Sequence, residues 1–294
     1  MLYFCIAVSL VAGYDALMVL RILALTALLL APAPAYAWWE YGHETVAKIA
    51  MAKVRPDTRT AVAVLLRQSQ ALETPTCPAR TIEQASVWAD CIKAPPLRDR
   101  FSYAFSWHYQ NVDVCKPFDL TAACRDGNCV SSQITRNAKL LADKTLPVRE
   151  RVMALALLTH FVGDLHMPLH AGDRNDRGGN DLKAAYGIFA GSRLNIHSVW
   201  DGYLAERAIS SPPALLSEAQ IDMAAGTVAD WSRESWAVAR DSAYGVAVGN
   251  PCAPPGQLAS IDNAKIEALV PVVRVQILRG GMRLARLLDE ALSR

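Results

Sequence analysis

The sequence carries almost no net charge: 30 Lys and Arg stand against 28 Asp and Glu, a formal balance of +2. A strongly basic face is thereby excluded, and with it the tight, non-specific grip on duplex nucleic acid that many phosphate contacts would need. No two cysteines stand in a C-x-x-C spacing, which argues against a cysteine-ligated metal site. Internal repeats, heptads and low-complexity linkers are also missing, so a single domain is expected. What is plentiful is apolar surface. Just over half of the residues are apolar, 52%, enough for a sizeable core.

The first residues read as a targeting segment. Arg21 precedes the apolar run Ile22 to Leu30, and Ala35-Tyr36-Ala37 forms an A-x-A site. This is the pattern of a secretory signal peptide over residues 1–37, cleaved to leave Trp38 first. The stretch before Met18 has no basic residue and carries Asp15, which makes Met18 a candidate true start. The alternative is an uncleaved membrane anchor, but Asp15 and Arg21 interrupt the apolar run. Cys5 would leave with the leader. The remaining six cysteines, an even number in an exported chain, read as disulfides. Fifteen pairings are formally open for six cysteines. Cys124 with Cys129, Cys77 with Cys91 and Cys115 with Cys252 is the expected set.

The mature chain reads as all-α, with helices joined by irregular loops. Helices are expected over Glu44 to Val54, from Pro56 through about Gln70, and from a cap at Ser131 or Ser132 to Asp143. Pro147 starts the most apolar helix, Val148 to about His166, which must lie in the core. Residues 171–195 are rich in Gly, Asp and Asn, with a short hairpin expected around Lys183 to Leu194. Further helices are expected from about Ile196, over Glu218 to Arg240, and over Ile261 to Leu292, the last with a kink at Gly280-Gly281.

Only six histidines occur: His43, His108, His160, His166, His170 and His197. His160 and Asp164 stand one helical turn apart, and His197 and Asp201 repeat that spacing. A His and a carboxylate on one helix face can hold a divalent ion or bridge two. Pro168 stops the helix, and His170 follows where the chain can turn back over the site. His166 is two residues past Asp164 and is expected to point away. One such pair is more often a polar contact than a metal site; two pairs with His170 between them favour the metal. Imidazole and carboxylate ligands without free thiolate suit zinc.

At these residues the chain resembles a known family. THFVGDLHMPLH at 159–170, GGN at 178–180 and NIHSVWD at 195–201 resemble the zinc-dependent single-strand nucleases of moulds and plants, of which mung bean nuclease is one. WWEYGHETVAKIA at 38–50 is similar to their mature N-terminus. WAD at 88–90, WHYQN at 107–111 and GGMRLARLLDEAL at 280–292 match three further blocks. The resemblance spans residues 38–294 and implies one helical domain of the zinc phospholipase C and nuclease type. It implies three Zn²⁺ ions. Asp90, His108, His160 and Asp164 would hold one. The amine and carbonyl of Trp38, His43 and a bridging Asp164 would hold a second, and His170, His197 and Asp201 the third.

The implied activity is hydrolysis of single-stranded DNA and RNA to 5′-phosphorylated products, with 3′-nucleotidase activity from the same geometry. Asp164 would carry the bridged pair of ions and Asp90 would orient the attacking nucleophile. Lys93 stands where mould and plant members commonly carry Arg, and would clamp a phosphate as a point charge instead of a bidentate fork. Tyr109 offers a ring for a base or a core contact. Asn111, in place of an aspartate, and Asn180 are further candidate substrate contacts. With the leader removed, a periplasmic or secreted protein free of the membrane is expected, as a monomer. Two alternatives stay open at this point: a zinc-dependent phospholipase C, whose third site usually ends in a glutamate where this chain has Asp201, and a non-catalytic zinc-binding protein.

Overall fold

The apolar helix expected after Pro147 forms over Val148–His166, and the other long helices pack around it. The computed structural model describes residues 38–253 and 258–293, so the expected signal peptide at 1–37 lies outside the described residues. The helices used below are α1 (Glu40–Lys53), α2 (Pro56–Leu66), α3 (Ile82–Cys91), α4 (Val130–Ala142), α5 (Val148–His166), α6 (Val228–Val238) and α7 (Asn263–Leu292). Four short strands also occur among the described residues, besides several short helical turns: β1 (Val112–Asp113), β2 (Gly172–Asp173), β3 (Ala184–Tyr186) and β4 (Ala259–Ile261). The fold is all-α, as expected.

Every residue of α5 from Ala154 to His166 is buried, which its Leu/Ala content permits and its polar residues must answer for. It is flanked by α4, α3, α7, α6, α1 and α2. α7 and α1 come close because α7 carries glycine at the crossing. A Cβ on Gly281 would meet Ile49 at 2.4 Å. The expected kink has a different explanation: α7 runs on through Gly280-Gly281, and the pair serves helix packing.

Several boundaries differ from expectation. α1 begins at Glu40, four residues early, which places His43 inside the helix on the buried face it shares with Val46, Ala47 and Ala50. α2 ends at Leu66, and the chain continues as a 3₁₀ turn over Ser69–Leu72. The cap of α4 is Cys129, not Ser131 or Ser132; its sulfur accepts from Ser132 N–H at 3.4 Å. The helix expected over Glu218 to Arg240 is broken. Gly226 takes φ +87°, and Thr227 then opens α6 with a capping box to Asp230. The hairpin near Lys183 to Leu194 reduces to isolated antiparallel bridges, Lys183 with Asn195 and Tyr186 with Phe189. β3 instead pairs in parallel with β4, Ala184 opposite Ala259. β1 and β2 also pair in parallel, Val112 opposite Gly172.

The three expected disulfides are present. Cys77–Cys91 ties the end of α3 to the loop before it. Cys115–Cys252 spans 137 residues of sequence and closes the largest loop. In the chain-entropy view such a long closure removes about 5 kcal/mol of freedom from the unfolded chain, and a short one about 3. Among the described residues no helix is long and apolar enough to cross a membrane.

Candidate metal centre

Four imidazoles approach one carboxylate. Asp164, on the last turns of α5, lies 3.0 Å from His108 Nδ1, 3.1 Å from His160 Nε2, 3.4 Å from His170 Nδ1 and 3.5 Å from His43 Nε2. Asp90, near the end of α3, stands 3.6 Å from His108 and 3.7 Å from His160. All six residues are buried. A second group lies beside them: His170, His197 and Asp201, with His197 Nε2 3.1 Å from Asp201 Oδ2 and the His170 and His197 rings stacked at 5.2 Å. Of the ligands expected from the sequence, all eight side chains therefore fall into these clusters.

The arrangement fits metal ions on its own chemistry. Both oxygens of Asp164 and both ring nitrogens of His43 are buried without a hydrogen-bond partner among the described residues. The 3.0–3.1 Å approaches to Asp164 are close but misaligned for hydrogen bonding. Leaving a buried carboxylate unpartnered costs several kcal/mol, which an ion between the donor atoms would offset. Three clusters of donor atoms have the spacing to hold an ion: His43 with Asp90 and His160, His108 with His160 and Asp164, and His170 with His197 and Asp201.

Backbone carbonyls set the tautomers. His160 Nδ1–H donates to Ser86 O at 2.6 Å, His170 Nδ1–H to His108 O at 2.8 Å, and His197 Nδ1–H to Gly178 O at 2.7 Å. A carbonyl only accepts, so each Nδ1 carries the proton and each Nε2 keeps its lone pair for the site. His170 O in turn accepts from Gln110 N at 2.8 Å, so the segments carrying His108 and His170 are clipped to each other. The glycine loop makes its part possible. Gly178 takes φ +62°, and a Cβ there would sit 2.3 Å from Leu169 O. Gly163, one residue before Asp164, leaves room for the His43 ring, whose Nδ1 a Cβ would meet at 2.6 Å.

The electrostatics keep the carboxylates ionised. Burial pushes Asp90 upward, but Lys93, His160 and His108 outweigh it and hold its carboxyl down at about 2. Burial opposes ionisation of Asp164 too, and His160 and His108 hold it well below the ordinary range. Burial, with Lys93 nearby, pulls His108 down to about 3, so its ring is neutral at ordinary pH.

Lys93 Nζ is 2.7 Å from Asp90 Oδ1 and half-buried at the edge of the site. Tyr109 is 41% exposed, which rules out the core-packing alternative. Asn111 is exposed in the left-handed region, φ +49°. Asn180 is half-buried, and its amide donates to Arg177 O at 2.9 Å, so it shapes the glycine turn. Trp38 is buried, and its backbone N–H donates to Asp201 Oδ1 at 3.0 Å, beside the second His/Asp pair. His166 points away, as expected. Its Nδ1–H donates to Val162 O and its Nε2 accepts from Arg283 at 2.9 Å. Sequence reasoning missed the orienting carbonyls of Ser86, His108 and Gly178, because a carbonyl leaves no mark in side-chain identity. It also missed Arg283.

The family model for S1/P1 nuclease matches residues 38–293. The chain belongs to the S1/P1 nuclease family. It is 27% identical to Endonuclease 3 of Arabidopsis thaliana over 88% of this chain and 90% of that protein. It is 27% identical to Endonuclease 2 of the same plant over 59% of this chain and 58% of that protein. It is 28% identical to Nuclease S1 of Aspergillus oryzae over 64% and 62% respectively. The matches to Endonuclease 2 and Nuclease S1 thus span less than two thirds of those proteins, whereas the match to Endonuclease 3 is nearly end to end. The family makes the chain a hydrolase acting on nucleic acid, and neither the phospholipase nor the non-catalytic alternative is favoured.

Proposed function

We propose that this chain is an exported endonuclease that uses three zinc ions to hydrolyse single-stranded DNA and RNA to 5′-phosphorylated products, with 3′-nucleotidase activity. The observation that carries the reading is the convergence of four buried imidazoles on Asp164, whose own oxygens have no hydrogen-bond partner. In this reading Asp90, His108, His160 and Asp164 hold the first ion. His43, Asp164 and the amine and carbonyl of Trp38 hold the second, and His170, His197 and Asp201 the third. Donor sets of imidazole and carboxylate, with every mature cysteine in a disulfide, suit zinc. Bound, the ions supply Lewis acidity at phosphorus, a water acidified toward neutral pH and counter-charge for the leaving 3′-oxygen.

The chain's own groups do the rest. Asp90, steadied by Lys93, orients the attacking water by accepting its hydrogen bond. Lys93 reaches a phosphate oxygen from the rim. The exposed face of Tyr109 stacks an unpaired base, and Asn111 and Asn180 contact the nucleotide. A base inside a duplex has no free face, so single strands and loops are preferred. Residues 1–37 act as a signal peptide, leaving a domain over 38–294 that is periplasmic or secreted and free of the membrane; three disulfides support an oxidising destination. We read the working form as a monomer, with all eight ligand side chains supplied by the one chain.

A metal count on the mature protein, with product analysis on single-stranded and duplex oligonucleotides of one sequence, tests this. Three zinc ions, 5′-phosphate ends and faster cleavage of the single strand are expected. Equal initial rates on the two substrates overturn the strand preference. Tight zinc binding with no turnover overturns the enzyme reading.

A further inference from the structure

Tyr103 and Tyr109 are 53% and 41% exposed. Tyr103 lies near the start of Ser102–His108, a 3₁₀ run, and Tyr109 is the first residue beyond its end, with extended backbone. At about 2.0 Å per residue the run rises roughly 10 Å from Tyr103 to His108, the reach of about three stacked nucleotides at about 3.4 Å each. Trp107 lies between them, half-buried, its ring edge-on to Tyr103 with centroids 5.3 Å apart.

The small disulfide loop braces this strip. Trp107 Nε1–H donates to Asn128 Oδ1 at 3.1 Å, and Asn128 sits inside the Cys124–Cys129 loop. Two residues on, Val130 N–H donates to Tyr109 O at 3.2 Å. The indole's polar atom is therefore satisfied and its ring direction fixed, while the Tyr103 side chain stays exposed. Cations accompany the rings. The exposed Arg136, on α4, stands 5.7 Å from the Trp107 centroid, and the exposed Arg98 6.0 Å from that of Phe105. Neither guanidinium has a carboxylate or carbonyl partner among the described residues. Arg100, close in sequence, differs: it donates to the carbonyls of Leu72 and Glu73. Here exposed Tyr103 and half-buried Trp107 and Phe105 lie beside guanidinium groups left uncommitted among the described residues. They are the combination that holds single-stranded nucleic acid, with faces for bases and cations for phosphates.

We propose that Tyr103, Trp107 and Arg136 form a second subsite for single-stranded nucleic acid, taking a base and a phosphate that flank the nucleotide stacked on Tyr109. The inference rests on the proposed function, in which Tyr109 holds the base at the point of cleavage. It adds that strands long enough to reach Tyr103 bind better than short ones.

The test compares Tyr103→Ala and Arg136→Gln with the parent enzyme on two substrates: a dinucleotide, too short to reach Tyr103, and a single strand of about twelve nucleotides. Tyr103→Ala is expected to raise KM on the long strand by about 5- to 160-fold, the value of one stacked base, and to leave KM on the dinucleotide within about twofold. Arg136→Gln is expected to reduce the salt slope of log KM on the long strand by about 0.7, one phosphate contact. An unchanged KM on the long strand overturns the subsite, as does a loss of equal size on both substrates. If Tyr103→Ala does not fold, the Arg136→Gln salt slope decides. A parent enzyme that cleaves no single strand at all sinks the proposed function; a parent that cleaves, with variants that match it, sinks the subsite alone.

Discussion

His160 with Asp164 and His197 with Asp201 have the same spacing in sequence and the same closest approach, 3.1 Å, yet different parts of the chain hold them. The first pair stands on α5, an α-helix buried along its last thirteen residues and packed by six others. The second stands on a segment that starts as α-helix over Ile196–Ser198 and widens to a π-helix over Val199–Leu204. That segment rests on the Gly178-Gly179 loop and on Trp38 and Trp39, whose N–H groups reach the side chain and carbonyl of Asp201. Core packing along a whole helix fixes the first pair; the second, although Ile196, Val199, Trp200 and Leu204 are also buried, depends in addition on a handful of backbone contacts. π-helical turns often mark functional sites because they re-aim one side chain without breaking the helix. The first pair should therefore fail only when a ligand is removed, whereas the second should fail when a loop moves.

The largest effect should come from Asp164→Asn. Asp164 serves four imidazoles, so its loss is expected to remove most activity and at least one ion. The loss should exceed the roughly 10- to 100-fold that an outer partner of a metal ligand costs. Asp201→Asn should remove one ion and leave the others bound. Zinc stoichiometry and single-turnover rates on both variants decide the matter. A normal metal content and rate for Asp164→Asn would falsify its bridging role.

Next in size is the N-terminus. In the full chain Trp38 N is a peptide nitrogen that donates to Asp201, and such a nitrogen is a poor ligand because its lone pair is delocalised. Cleavage after Ala37 would turn it into an amine. A protein with one extra residue before Trp38 is expected to bind fewer zinc ions and to be nearly inactive while keeping its far-UV circular dichroism. Full zinc occupancy and full rate in the extended form would remove Trp38 from the ligand set.

The same contrast explains what could be read from the sequence. α5 was legible to its stop before Pro168 because burial on all sides from Ala154 onward demands a mostly apolar run, against which His160 and Asp164 at helical spacing stand out. His160, Asp164, His170, His197 and Asp201 stood out by spacing and residue type, whereas His43, Asp90 and His108 came only through the resemblance to the nuclease family. Residue type said that six cysteines would pair, not which of fifteen pairings, and the expected set is the one present. Contacts made by backbone were not legible. The pairing of Ala184 with Ala259 joins strands too short to show alternation. The break at Gly226 depends on one left-handed residue inside an otherwise helical pattern. The carbonyls that orient His160, His170 and His197 belong to Ser86, His108 and Gly178, and nothing in those names signals an acceptor aimed at a ring.

Gly178→Ala sharpens the comparison from the loop side. A side chain in that left-handed conformation costs about 1–3 kcal/mol, and its Cβ would collide with Leu169 O. The loop must shift, and His197 Nδ1 loses its acceptor. Affinity for one ion is expected to fall by about 10- to 100-fold, while the ions around Asp164 are unaffected. Zinc titration with a competing chelator reads this out. A uniform loss across all ions would show that the two pairs are not held independently.

The smallest effect concerns His166, two residues past Asp164 and turned away from the ligands. Burial pulls its ring down to about 3, and Arg283, donating to Nε2, adds to the shift. Its folded value thus lies below the unfolded value near 6.5. Above about 6.5 the ring is neutral in both states, and the contribution to stability is complete. Between about 6.5 and 3 the unfolded chain binds a proton that the folded chain refuses, so stability falls as pH falls. The substitution His166→Gln keeps a side-chain oxygen that can accept from Arg283 but does not titrate. Unfolding by urea, measured on chelator-stripped parent and His166→Gln protein from pH 7 to pH 4, should therefore give a shallower loss for the variant. Parallel pH profiles for the two proteins would mean that His166 is not held neutral by burial and Arg283.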